Sequence, residues 1–335
     1  MSQTVSQLIE LFSSPESLKG LMHVQQDELL ECADEAGALW SLLDHVDIRA
    51  EDSRMSGKLV QAANLQAEIE SLRDRVVESV SLALEEGVSP VLLLARPWNI
   101  LGDYYVSVQF LVASEQRYSV EESLLSLGCY EVLEQRQEGV SQLFKYKDKP
   151  VQISLLTNLP HFYMRERVDV NKLLVAAGES DAASNLEALS PEDSVLLACL
   201  NMFYQDKFDA RIGDLVDLGD VVRSHADEEE FWVRLLARGQ ELSVIRALYL
   251  GLYSLRNVLS MDMPEEVTSF LAIAAPAQPG RFMLETSIRK SFVASCDKKE
   301  GFGLGLARNL LRVRGCLANK CWSKTAANKH LEEHA

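Results

Sequence analysis

The spacing of apolar residues changes twice along the chain, and each change marks a change in the predicted secondary structure. Within residues 1–88, apolar side chains recur at steps of three and four, which is typical of amphipathic helices. The strongest stripe lies within residues 61–86, and Gly87 follows it as a typical helix stop. Its members are Leu65, Ile69, Leu72, Val76, Val77, Val80 and Leu84. This region is predicted to be helical, with a polar loop at residues 55–57.

The next region, residues 89–170, shows the period of two that marks strands. A short apolar run between two prolines, PVLLLARP, predicts a buried strand. Ser119, with Glu122 three positions later, predicts a capped helix that ends at Gly128. Further strands are predicted over residues 130–135, 141–147 and 151–156. The short turns between them favour antiparallel pairing.

The segment YYVSVQFLV, residues 104–112, alternates as a half-buried strand should. Ser107 and Gln109 share one face of it, at positions i and i+2. The opposite face is predicted to carry Val106, Val108, Phe110 and Val112. Two polar side chains are therefore expected side by side on an otherwise apolar strand.

The helical period returns in residues 171–273. Ser190 followed by Pro-Glu-Asp is a strong helix start, because it combines a serine cap, a first-turn proline and first-turn acids. Further helices are predicted over about residues 212–224, from Asp227, and over 242–259. Four antiparallel helices with short connections form a bundle.

These patterns predict an α+β fold, in which a small mixed sheet is flanked by an N-terminal helical region and a helical bundle. A break, AAPAQPG, then separates the bundle from a basic C-terminal tail that is predicted to be helical. The predicted regions are residues 1–88 (N-terminal helices), 89–170 (α/β core), 171–273 (bundle) and 274–335 (tail).

The chain has 335 residues and a formal net charge of −17 at pH 7. So acidic a surface repels phosphate backbones, and nucleic acid is not an expected partner. The stretch from Arg281 to Lys329 is nevertheless basic. We hypothesise that the protein self-associates or docks on a partner through this stretch. No run approaches the roughly 20 apolar residues of a membrane span, so no membrane partner is expected.

The six cysteines are scattered, and Cys316 and Cys321 lie at a spacing that matches no metal-binding pattern. Cys199 falls in an apolar helical run and is expected in the core. The first residues lack a basic stretch followed by an apolar run, so no secretory signal is expected. A reducing cytoplasm is the expected compartment.

Four stretches together resemble a known family. A helix, turn and strand read SLALEEGVSPVLLLAR, and the next strand reads YYVSVQFLV. A glycine-aromatic turn reads LGCYEV, and a later strand reads PVQISLL. The bundle reads LSPEDSVLLACLNMFYQDKFDARIGDLVDLGDVV and then EEFWVRLLARGQ. In this order they resemble a bacterial family of the nucleotidyltransferase superfamily that is often associated with polysaccharide and peptide natural-product gene clusters.

This resemblance implies transfer of a nucleotide from an NTP, a reaction in which two Mg²⁺ ions neutralise charge on the phosphoryl oxygens. The family's paired acids fall on Ser107 and Gln109, and its third acid falls on Gln152. Its Lys-Gly signature falls on Ala95 and Arg96. Hydroxyls and amides bind Mg²⁺ far more weakly than carboxylates do, so no metal site and no cofactor are expected. Mg²⁺ and an NTP would be needed only if the chain is active.

Each of these positions leaves alternatives open. Ser107 and Gln109 are remnants of a lost site, ordinary sheet residues in a misaligned match, or ligand contacts of a repurposed pocket. Asp103 could supply a substitute metal ligand, or it is a turn residue beside Gly102. Arg96 binds a phosphate or an acidic group, or else it blocks the pocket or pairs with a nearby acid.

Three functions are compatible with the sequence. The first is a catalytically degenerate nucleotidyltransferase-like protein that binds a protein partner or a small molecule in a bacterial biosynthetic pathway. The second is an active metal-dependent enzyme whose acids lie elsewhere in the chain, with a small molecule, a sugar or a protein as acceptor. The third is an unrelated helical interaction protein with a small sheet. Arg211 and Asp217 are interpreted as structural in each case.

Overall fold

The structure, a computed structural model, describes most of the chain from residue 3 to residue 275 together with residues 288 and 292. The described ranges are 3–13, 15–46, 55–94, 106–132, 141–146, 150–159, 168–180, 182–183, 185–204 and 211–275. Within them the chain forms eleven α-helices, one 3₁₀ helix and a mixed sheet of seven strands, which confirms the predicted α+β class. None of the described helices is both long and apolar enough to cross a bilayer.

The predicted N-terminal helical region is confirmed. It consists of α1 (Gln3–Ser13), α2 (His23–Glu35), α3 (Leu39–His45) and α4 (Gly57–Ala83), with a 3₁₀ helix at Pro15–Gly20. Helices α2 and α3 both pack on α4. Their apolar stripes meet there, and Leu30, Leu42 and Leu59 are fully buried.

The loop predicted at residues 55–57 is confirmed at Met55 and Ser56, which precede helix α4, and is wrong at Gly57, where the helix begins. Ser56 is the N-cap, and its Oγ accepts a hydrogen bond from the backbone N–H of Leu59 at 3.2 Å. The backbone N–H of Ser56 donates to Oε1 of Gln26 in α2 at 2.7 Å. The polar residues therefore satisfy a buried helix end, a role that polarity along the sequence does not distinguish from a loop.

The sheet has the strand order β3-β4-β5-β2-β1-β7-β6. Its strands are β1 (Val91–Leu94), β2 (Val106–Leu111), β3 (Cys129–Glu131), β4 (Ser141–Tyr146), β5 (Val151–Leu156), β6 (Gly178–Glu179) and β7 (Glu187–Ala188). Strands β3, β4 and β5 pair antiparallel, as predicted. Strand β2 pairs parallel to β5 and antiparallel to β1, so the predicted mixed sheet is confirmed.

Strands β6 and β7 are absent from the sequence prediction, which expects this part of the chain to be helical. Strand β7 pairs parallel to β1, with Glu187 opposite Val91, and β6 pairs antiparallel to β7. Each has only two residues, too few to show an alternating pattern.

Helix α5 (Arg117–Ser126) begins before the predicted capping box. Ser119 therefore lies inside its first turn, where Oγ donates to Oε2 of Glu85 at 2.6 Å. The predicted serine cap is wrong, because this hydroxyl pairs with a distant acid instead. The predicted end at Gly128 is confirmed, since this glycine has a φ of +83° just past the helix.

Within the described residues, the helical bundle contains six helices, two more than the four predicted. Its helices are α6 (Val170–Ala176), α7 (Pro191–Tyr204), α8 (Ile212–His225), α9 (Phe231–Glu241), α10 (Ile245–Val258) and α11 (Glu265–Ala274). The last predicted helix ends at residue 259, but a further helix follows it, and Pro264 is the N-cap residue of this helix, α11. Glu265 and Glu266 occupy the first turn, where acids are favoured by the helix dipole.

Of the predicted C-terminal tail, the structure describes only Ile288 and Phe292 beyond residue 275. Both side chains are buried. The ring of Phe292 lies edge-on to that of Phe203 in α7, with centroids 6.4 Å apart. The basic cluster from Arg281 to Lys329 otherwise lies outside the described residues.

The N-terminal helices dock on the bundle through a close backbone contact. The backbone N–H of Gly213 in α8 donates to the carbonyl oxygen of Ala36 at 3.2 Å. A Cβ atom at position 213 would lie 1.8 Å from the carbonyl oxygen of Gly37. Because a side chain cannot fit there, glycine is needed for α8 to meet the turn between α2 and α3.

We expect Gly213→Ala to lower the free energy of unfolding, because the added methyl group would overlap the carbonyl group of Gly37. Overpacking of this kind costs about 1–3 kcal/mol. Urea denaturation followed by circular dichroism measures the change. Gly57→Ala is the matched control, since a Cβ there meets no atom within 4 Å. Equal stabilities of the two variants would show that the contact is not tight.

Candidate functional site

The sheet brings together the three positions to which the resemblance assigns acids. Strands β2 and β5 run parallel, with Ser107 opposite Gln152 and Gln109 opposite Ser154. Registered residues on neighbouring strands lie about 5 Å apart and point to the same face. These four side chains form one cluster on the sheet, the polar patch.

The two faces of these strands differ in burial. The polar patch is half-buried. The opposite face is fully packed and consists of Val106, Val108, Phe110, Val151, Ile153 and Leu155. Helix α4 packs against β2. The predicted alternation is confirmed, and it turns the polar patch away from the buried face.

The polar patch has a cationic neighbour and an apolar border. Lys145 of β4 lies opposite Gln152, and Leu143 lies opposite Ser154. On the other side, Leu93 of β1 lies opposite Gln109. This arrangement offers hydroxyl and amide groups that both donate and accept hydrogen bonds, beside an ammonium group that only donates.

Within the described part of the chain, the four patch side chains have no hydrogen-bond partner in the protein. Half-buried amides and hydroxyls lose part of their hydration, and a ligand with matching groups can replace it. The patch is therefore suited to hydrogen bonding with a bound molecule.

Carboxylates are absent from these described positions of the patch and its border. Throughout the described ranges, no group of three or more His, Cys, Asp or Glu side chains is placed to hold a metal ion. Glu115, beyond the end of β2, is exposed. Asp103, Ala95 and Arg96 lie outside the described residues, so the roles considered for them stay predictions.

Sequence reasoning misses Glu187, a carboxylate of β7 on the same sheet face. It lies opposite Val91, which in turn lies opposite Leu111 of β2. Burial raises the pKa of its carboxyl group above the ordinary value. Strand β1 separates β7 from β2, so about 10 Å of sheet width lies between Glu187 and the polar patch. That distance is too long for shared ligation of one metal ion.

The Pro-Glu-Asp motif of α7 is paired with two arginines of α9. Ser190 caps α7 as predicted, since its Oγ accepts a hydrogen bond from the backbone N–H of Asp193 at 3.1 Å. Nε of Arg234 donates to Oε1 of Glu192 at 2.6 Å. Arg238 binds Asp193 with two bonds, from Nε to Oδ1 at 2.7 Å and from Nη2 to Oδ2 at 2.8 Å.

The pair between Asp193 and Arg238 is buried and reaches a third helix. The Asp193 side chain is 0% exposed and that of Arg238 is 16% exposed. Nη2 of Arg238 also donates to the carbonyl oxygen of Lys172 in α6 at 2.8 Å. Hydrogen bonding to Asp193 raises the pKa of the guanidinium group well above its ordinary value. These motif residues therefore hold helices together and face no open site.

Arg211 and Asp217, interpreted as structural, have partners that agree with that role. The backbone N–H of Arg211 donates to Oδ2 of Asp214 at 2.8 Å, at the start of α8. Oδ1 of Asp217 accepts a hydrogen bond from Oγ of Ser41 in α3. The contact between Arg211 and Asp214 stabilises the start of α8, and the contact between Asp217 and Ser41 joins α8 to the N-terminal region.

Residues 108–260 match a family described as an uncharacterised nucleotidyltransferase. The match runs from β2 past the end of α10, so it includes Gln109, Gln152 and the pair of Asp193 with Arg238, and it covers less than half of the chain. No curated protein and no solved structure matches the chain.

The match over residues 108–260, the mixed sheet and the helical bundle together support a nucleotidyltransferase-like protein. They also argue against the third function considered from the sequence, an unrelated helical protein. The match carries no assignment of substrate or acceptor, because the family itself is described only by its superfamily.

We expect Arg238→Met to lower the free energy of unfolding by about 3–5 kcal/mol, because it leaves the buried carboxylate of Asp193 without its partner. Arg234→Met is the comparison variant: this side chain is 46% exposed, and its partner Glu192 keeps 10% exposure whereas Asp193 has none, so this loss should be smaller. Urea denaturation measures both. Adding Asp193→Leu to Arg238→Met should recover part of the loss. Equal effects of the two single substitutions would contradict a special role for the buried pair.

Proposed function

We propose that this protein is a catalytically degenerate nucleotidyltransferase that acts by binding, as an accessory protein in a bacterial biosynthetic pathway. The observation that carries the proposal is the composition of the polar patch. Ser107, Gln109 and Gln152 lie side by side where the resemblance places three acids. The scaffold of the site is kept, and its charged groups are replaced by neutral ones.

Electrostatics supports this proposal. Two Mg²⁺ ions bring four positive charges, which paired carboxylates neutralise and which hydroxyl and amide oxygens do not. Lys145 lies one strand from Gln152 and adds a further positive charge beside the polar patch. Since like charges repel most strongly in a partly desolvated site, this patch opposes the binding of divalent cations.

The proposed ligand is a small molecule or a segment of a protein partner. The polar patch supplies amide and hydroxyl groups, and Lys145 supplies a cation that favours an anionic group. Nucleic acid and membranes are not part of the proposal, and a bacterial cytoplasm is the proposed compartment. Arg96 would contribute a phosphate contact only if it reaches this face.

The alternative is an active metal-dependent enzyme that transfers NMP from an NTP to a small-molecule, sugar or protein acceptor. The observation in its favour is the match to a nucleotidyltransferase family. Its metal ligands would have to include residues other than those of the polar patch, and Asp103 is the candidate.

The transfer assay separates these two functions. With Mg²⁺ or Mn²⁺, labelled NTPs and candidate acceptors, we expect the wild-type protein to give no transfer above a protein-free control. The reason is that the polar patch lacks the charge needed to hold two divalent ions. Transfer that survives Ser107→Ala with Gln109→Ala, and is lost with Asp103→Ala, would establish the alternative.

The matched control reinstates the acids. Ser107→Asp, Gln109→Asp and Gln152→Glu together should tighten Mn²⁺ binding by about tenfold or more, which corresponds to about 1.4 kcal/mol. Isothermal titration calorimetry compares this variant with wild type and with Gln109→Asp alone. Unchanged Mn²⁺ affinity would show that acids at the polar patch do not form a metal-binding site.

Self-association through the basic tail is proposed as a second property. We expect a chain that ends after residue 294 to have a lower molecular mass in multi-angle light scattering than expected from loss of the tail alone. The physical reason is attraction between the basic tail of one copy and the acidic surface of another. This truncation keeps Ile288 and Phe292, which are buried. The same number of copies with and without the tail would contradict it.

A further inference from the structure

Helices α3 and α8 meet at a histidine whose two ring nitrogens both face oxygen acceptors. Nδ1 of His45 lies 2.6 Å from the backbone carbonyl oxygen of Ser41. Nε2 of His45 lies 3.2 Å from Oδ1 of Asp220. A neutral imidazole carries one N–H and can donate to only one of these oxygens, whereas the imidazolium donates to both.

The surroundings of His45 include charges of both signs. Arg223 of α8 donates from Nη1 to the same Oδ1 of Asp220 at 2.5 Å. Asp217, one turn earlier in α8, accepts the hydroxyl hydrogen bond of Ser41. Helix α1 contributes the uncharged ring of Phe12, edge-on at 6.0 Å.

Among the described residues, a further charged neighbour lies on α3 itself and points to another helix. Asp44 accepts a hydrogen bond from Nε2 of Gln66 in α4. Within the described ranges, Asp220 is therefore the carboxylate that contacts the imidazole ring of His45.

This contact joins two parts of the molecule. Helix α3 belongs to the N-terminal region, which precedes the matched residues 108–260, and α8 lies within them. Helix α4 packs on α3 and also on β2, the strand of the polar patch. The contact between α3 and α8 therefore connects the bundle, through α3 and α4, to the strand that carries the polar patch.

We propose that His45 is a proton-sensitive clasp, which fastens the N-terminal helices to the bundle when protonated and releases them in part when it loses its proton. The clasp does not depend on whether the protein transfers nucleotides. It requires only that α3 and α8 separate more easily when one of the two hydrogen bonds is lost.

The direction of the pH dependence follows from the pKa of His45. Its hydrogen bond to Asp220 raises that pKa above the ordinary value of 6.5, and the bond to the Ser41 carbonyl adds to the effect, while burial and Arg223 oppose it. Because the folded state binds the proton more tightly than the unfolded chain, the stabilisation is complete below pH 6.5. It is lost as the pH rises through the folded pKa.

Amide hydrogen exchange of the full-length protein tests the clasp. Peptides that cover α3 (Leu39–His45) should lose protection as the pH rises from below 6.5 through the folded pKa of His45, after correction for the intrinsic exchange rate. The loss should be roughly tenfold for each unit by which the pKa of His45 exceeds its ordinary value. His45→Gln cannot be protonated, so its α3 peptides should show no such pH dependence.

His225→Gln is the matched control. His225 lies in the same helix α8 and also contacts a carboxylate, Oε1 of Glu228 at 2.5 Å. Its described partners, Glu228 and the ring of Phe231, both belong to the bundle. This variant should keep the wild-type pH dependence of α3, because the histidine it removes does not join α3 to α8.

An NMR titration of the histidine ring signals gives a second measurement that does not need His45→Gln to fold. We expect His45 to titrate above 6.5 in the wild-type protein and at a lower pH in Asp220→Asn. A wild-type His45 that titrates at or below 6.5 would overturn the clasp. So would α3 protection that depends on pH equally in wild type and His45→Gln.

Discussion

The buried ion pair between Asp193 and Arg238 is the interaction on which the helical half of the molecule depends. A carboxylate with no exposure to water is costly unless its charge and lone pairs are matched, and the bidentate guanidinium group matches both. The same group reaches the carbonyl oxygen of Lys172, so α6, α7 and α9 share one charged contact. Helix α6 lies between β5 and β6 along the chain, so this contact also joins a connection between two strands of the sheet to the bundle helices α7 and α9.

A second set of contacts attaches the N-terminal helices to the bundle. Gly213 lets α8 approach the turn at Gly37, and Ser41 bonds to Asp217 within the same interface. His45 bonds to Asp220 one turn further along α8. Since α4 packs on β2 as well as on α3, the position of the sheet relative to the bundle depends on both sets of contacts.

The residues behind the likeness to nucleotidyltransferases differ in what they do. Glu192 and Asp193 pair with arginines and hold helices in place, so their role is structural. Gln109 and Gln152, at positions where the resemblance places acids, are neutral and face away from the buried side of the sheet. Packing depends on many buried groups and metal chemistry on a few charged ones, so a fold can persist after its site changes. The proposed binding function rests on this difference.

The sequence by itself determined what depends on neighbours along the chain. The period of two in YYVSVQFLV placed Ser107 and Gln109 on one face of a strand, and Ser190 marked the start of α7. Tertiary structure decided what depends on distant residues. Lys145 beside Gln152, the hydroxyl of Ser119 on Glu85, and the two-residue strands β6 and β7 follow from pairing across the fold. Ser41 and Asp217 are 176 positions apart, and no local periodicity carries information across such a separation.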